Sequence, residues 1–148
     1  MHIEVDQSGK IGKTNEDTVL AFSNDEDFAI LIPRKVKQEC LRVLRSQGLS
    51  PEAIYLRLFV IGLYFLLRQH ITKAEWILID TEYLGKDKQI KERLYNLLRR
   101  SGVIPYKQQI TFGFIGKESR AHSTAIATFR RERKADIILT AADLLSEF

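Results

Sequence analysis

At 148 residues the chain is one domain's worth, so a single domain over 1–148 is expected. Apolar residues make up 45% and charged residues 28%, which excludes the disordered and collagen-like classes. A net charge of +4 is mild: it permits a polyanionic partner without demanding one.

The first third reads as three consecutive antiparallel strands. Ile3 and Val5 alternate with Glu4 and Asp6 at the period of a half-buried strand, and Asp6-Gln7-Ser8-Gly9 supplies turn chemistry. Thr18–Phe22 and Phe28–Ile32 are β-rich runs separated by Ser23-Asn24-Asp25-Glu26-Asp27, a spacing that suits a hairpin. Two helices follow. The first runs from Arg34 to Arg45, with Val36, Cys40, Val43 and Leu44 on one face and Gly48 as its stop. Ser50-Pro51-Glu52 starts the second, which carries ten apolar residues from Leu58 to Leu67. That run is well short of the roughly 18 residues a membrane span needs, so it predicts a buried helix or a homodimer face.

Strand and helix then alternate. Trp76–Asp80 is an apolar run expected to be buried on both faces. Lys86–Arg100 is predicted helical, Ile110–Ile115 a strand and Ser119–Arg133 a helix. Ala135–Leu139 is either a last short strand or the approach to a helix, and Thr140–Leu145 is a short helix.

Cys40 is the only cysteine, which excludes an intrachain disulfide and a multi-cysteine zinc site and points to a reducing, cytoplasmic setting. The polar alternation of His2–Asp6 leaves no signal peptide to expect. Charge is unevenly spread. Over residues 1–32 two bases stand against seven acids, a balance of −5, so the rest of the chain carries +9. Acidic strands beside basic helices suit a site that holds a metal and a phosphate.

Asp6 and Asp80 each end an apolar strand, where ligands of open α/β sheets collect. Carboxylates brought together repel unless a cation lies between them, and hard cations such as Mg²⁺ accept such ligands; a turn-starting role is the competing reading. Glu82 lies two residues past Asp80 and can face the same side. Asp143, in Thr140-Ala141-Ala142-Asp143, fits a capping box as well as a ligand. Glu39 lies beside the apolar stripe of its helix. His122-Ser123 is not a nucleophile–base pair, because helical neighbours point about 100° apart. His122 remains a candidate proton carrier beside a carboxylate group. No phosphate-binding glycine loop occurs: Gly9-Lys10-Ile11-Gly12-Lys13 lacks the spacing. Lys10, Lys13, Arg99, Arg100, Arg120, Arg130 and Arg131 are the candidate phosphate contacts.

The β-meander, the alternating helices and strands, Asp6 in Ile3–Gly9, Asp80 in Trp76–Asp80 and Asp143 in Ala142-Asp143-Leu144-Leu145 together resemble the ribonuclease H-like superfamily. The early Asp-x-Ser-Gly and late Ala-Asp-Leu-Leu are similar to those of uncharacterised bacterial and archaeal members. The resemblance implies an α/β fold with a central mixed sheet. It implies Mg²⁺ or Mn²⁺ held by Asp6, Asp80 and Asp143, assisted by Glu82, and hydrolysis of nucleic-acid phosphodiesters. The alternative is a non-catalytic nucleic-acid- or partner-binding protein of that fold. The chain departs from the superfamily by placing two helices before the fourth strand and by offering only Glu39 as a first-helix glutamate.

Overall fold

The computed structural model describes residues 2–148. Six strands form one mixed sheet: β1 (His2–Ser8), β2 (Thr18–Ser23), β3 (Asp27–Ile32), β4 (Trp76–Asp80), β5 (Ile110–Gly113) and β6 (Ile137–Ile138). Their spatial order is β5-β4-β1-β2-β3-β6. The β1–β2 and β2–β3 pairs are antiparallel, the meander expected from the hairpin spacing. β4 pairs with β1, β5 with β4 and β6 with β3, all in parallel. Five helices complete the α/β fold: α1 (Arg34–Ser46), α2 (Pro51–Leu67), α3 (Asp87–Arg100), α4 (Arg120–Phe129) and α5 (Ala141–Leu145).

Alternation along the strands builds two unequal layers. Ile3, Val5, Leu20, Phe22, Ile30, Ile32, Ile77 and Ile79 join α2 and α3 in the main core. The other face of β2 and β3 presents Val19, Ala21 and Ala29, whose small side chains let α4 lie close through Ala125. Helix α4 covers β1, β2 and β3. Trp76, Leu78 and Asp80 alternate as half-exposed residues with buried Ile77 and Ile79, so β4 is not buried on both faces as its apolar run suggested. The doubly buried strand is β2, flanked by α2 on one side and α4 on the other.

Local chemistry explains the helix ends. Gly48, at φ 89°, closes α1 with its amide on the Arg45 carbonyl and that of Leu49 on Leu44, the Schellman pattern. At the start of α2 the Ser50 hydroxyl accepts from the Ala53 amide at 3.3 Å, and Pro51 occupies the first turn. Every residue from Leu58 to Leu67 is buried inside the chain. Burial within the core accounts for the apolar run that also suggested a homodimer face. No helix among the described residues is long and apolar enough to cross a membrane.

Helix α4 stops at Phe129, short of the expected Arg133, because Arg131 turns to φ 63°. The ambiguous Ala135–Leu139 stretch contains β6. Asp136 fastens it: its carboxylate accepts from the Ala29 amide at 2.8 Å while its own amide donates to the Ala29 carbonyl. On α1 the buried face is Lys37, Cys40 and Leu44. Cys40 is fully enclosed, and burial pushes its thiol up to about 11.

Candidate metal centre

Sheet register brings the first two carboxylates together. Val5 pairs with Ile79 across β1 and β4, so Asp6 and Asp80 follow side by side at the C-terminal ends of the strands. Each lies one residue beyond a core side chain and therefore faces the other side of the sheet, beneath α4 for Asp6. One Asp6 oxygen accepts from the Gln7 amide at 2.8 Å, and the other lies 2.8 Å from His122 Nδ1. Asp80 Oδ1 accepts from the Ile115 amide at 2.7 Å, which ties the chain beyond β5 to the end of β4. Glu82, just past β4, turns into the same space. One oxygen from each of Asp6, Asp80 and Glu82 lies within 4.8 Å of the other two.

The electrostatics follow from that crowding. Burial raises the Asp6 carboxyl above its ordinary value, and Asp80 adds to the rise; the Gln7 amide and His122 oppose it. Glu82 is pushed up to about 7 by burial and by the Asp80 and Asp6 carboxylates, with Lys10 pulling the other way. Three carboxylates this close need a shared proton or a cation between them. The donors are all oxygens, the set that suits Mg²⁺ or Mn²⁺ over a soft metal. His122 spends Nδ1 on Asp6, which makes it an orienting partner of a candidate ligand.

The structure moves two expected residues out of this group. Asp143 caps α5: its carboxylate accepts from the Thr140 amide at 2.9 Å and its amide donates to Thr140 Oγ1 at 3.1 Å. Helix α5 packs on α1 and α2, so Asp143 does not join Asp6, Asp80 and Glu82. The late-helix residue that reaches Asp6 is His122 of α4. Glu39 is exposed and bound to Arg42 at 2.7 Å, not a partly buried carboxylate.

The basic candidates separate in the same way. Lys10 and Lys13 lie in the loop beyond β1, and the charge of Lys10 is felt at Glu82. Their carbonyls are gripped by the buried Lys37 ammonium at 3.2 and 2.7 Å, and Thr18 Oγ1 takes its third bond. Arg130 and Arg131 follow α4 on the same end of the sheet, with Arg131 3.7 Å from Asp17. Arg120 is held at the β2–β3 turn by the Asn24 carbonyl and by Asp27 at 2.9 Å. Arg99 and Arg100 end α3, whose Ile90, Leu94, Leu97 and Leu98 join the main core on the face of the sheet away from α4.

Lys37 escapes sequence reading because a lysine at a core position has no periodic signature; only the loop folded over it shows its use. No family model, curated protein or solved structure matches the chain.

Proposed function

We propose that the protein is a divalent-metal-dependent hydrolase of nucleic-acid phosphodiesters, built on a ribonuclease H-like fold. The observation that carries this reading is the convergence of Asp6, Asp80 and Glu82 within 4.8 Å at the ends of neighbouring parallel strands. The meander and the placement of β1 between β2 and β4 support the fold reading.

In this reading Asp6, Asp80 and Glu82 hold Mg²⁺ or Mn²⁺. Held there, such a cation would supply Lewis acidity toward water and the phosphoryl oxygens. Gln7 and Ile115 hold the two aspartates through backbone amides, so the carboxylates are fixed in place before a ligand arrives. His122 orients Asp6 through Nδ1. Lys10, whose charge is felt at Glu82, would meet an approaching phosphate.

The test is cleavage of labelled DNA and RNA strands and duplexes in Mg²⁺ and in Mn²⁺, beside calorimetric Mn²⁺ binding. Asp6→Asn and Asp80→Asn are each expected to lose at least about 100-fold in rate and to weaken the ion strongly. Cleavage that survives both changes overturns the reading. A non-catalytic nucleic-acid-binding protein is the second reading, favoured because both oxygens of Asp6 already have partners. It predicts salt-sensitive binding that ignores metal and both substitutions.

A further inference from the structure

We infer that the cleft between α2 and α3 is a second site, one that binds the phosphate groups of an anionic ligand away from the carboxylates. It forms an open cavity of about 510 Å³ rimmed by Arg57, Arg93, Arg99 and Arg100, with Asn96 and Glu147 beside them. Arg93, Asn96 and Arg100 recur at helical spacing, so α3 turns one face to the cavity. Exposed arginines ordinarily spread into water, yet here four arginines border one concave surface beside a single carboxylate, that of Glu147.

The neutralisation is incomplete. Arg100 reaches Glu147 at 4.0 Å, while neither Arg57 nor Arg93 has a carboxylate within 4.0 Å among the described residues. Arg57 instead lies 4.2 Å from the centre of the Phe148 ring, which holds its side chain in place without cancelling its charge. Burial and the nearby Arg93 both work against its charged form, so an anion placed between the two relieves a cost already present in the fold.

Guanidinium forks match the paired oxygens of phosphate, and the cavity is larger than a single ion requires. A neighbouring cavity of about 700 Å³ shares Asn96 and Arg99 and adds Lys88, Lys91 and Lys107 around Tyr95, with Glu92 as its one carboxylate. The cationic row therefore continues along α3 and suits successive phosphates, whether they belong to a free nucleotide or polyphosphate or to a nucleic-acid strand. The sheet separates this row from Asp6 and Asp80.

The experiment uses the full chain in EDTA, so its outcome is independent of the metal reading. Pyrophosphate is titrated by calorimetry and a fluorescein-labelled oligothymidylate by anisotropy. Arg93→Gln/Arg100→Gln, both exposed, is compared with Arg34→Gln/Arg45→Gln on the exposed side of α1, which removes the same charge elsewhere. The first pair is expected to weaken binding at least about tenfold and the second no more than about threefold. Binding of both probes in competition assigns strand phosphates, and pyrophosphate alone assigns a free phosphate compound. The inference is overturned if neither probe binds at millimolar concentration or if both double variants weaken binding alike.

Discussion

Glu82 decides the charge state of the carboxylate group. Its folded-state value of about 7 lies above the 4.5 of a free glutamate, so the folded protein holds that proton more tightly than the unfolded chain does. The resulting stability is fully present below pH 4.5 and is lost as pH rises through about 7. Urea unfolding should therefore find the protein weaker at pH 8 than at pH 5 by about 1–2 kcal/mol from this group, after allowance for solvent screening. Glu82→Gln should flatten that part of the profile and be the more stable form at pH 8. An unchanged profile would count against crowding of the three carboxylates. Asp6 and Asp80 were legible in the sequence because a carboxylate closing an apolar strand is a local signal. His122 and Asp143 exchanged their expected importance for a non-local reason. Which late helix lies over β1 depends on the small residues Val19, Ala21 and Ala29, and no spacing within either helix records that choice.

Among the elements, α1 does more than cover the core. Lys37 is 1% exposed and donates to two carbonyls of the loop beyond β1 and to Thr18, with burial pulling its ammonium down to about 8. That one side chain fixes the loop bearing Lys10 and Lys13 relative to the end of β1. Lys37→Met keeps the buried volume but orphans those acceptors, and should cost about 2–4 kcal/mol in urea unfolding. Hydrogen exchange at the Lys13 and Glu16 amides, which close the loop's own turns, should quicken in the variant. Unaltered stability and exchange would mean the loop holds itself. The order of strands and helices was legible from periodicity, caps and Gly48. The one-sided exposure of β4 was not, because an apolar run looks the same whether a helix covers its second face or stops one strand short.

At the scale of the whole molecule, the acidic start of the chain disperses. Of its seven acids only Asp6 joins the carboxylate group; Asp17 and Asp27 are spent on Arg131 and Arg120, and Glu4 accepts from Ser119 at 2.7 Å. The segment charge thus described surface pairing more than a site. Part of the basic excess gathers on α3, whose arginines lie across the sheet from the carboxylates. On the two readings proposed above, phosphate meets the protein on two faces.

The enclosed thiol of Cys40 gives the molecule a clock. It is the sole sulfhydryl, it lies on α1 among core side chains, and a maleimide can reach it only when that packing opens. Labelling in native buffer should therefore proceed at the pace of global unfolding and slow further when a ligand that favours the folded chain is added. Labelling much faster than unfolding would reveal α1 lifting by itself, carrying away the lysine that anchors the loop. One reagent would then report separately on the durability of the fold and on the grip α1 keeps over its neighbour.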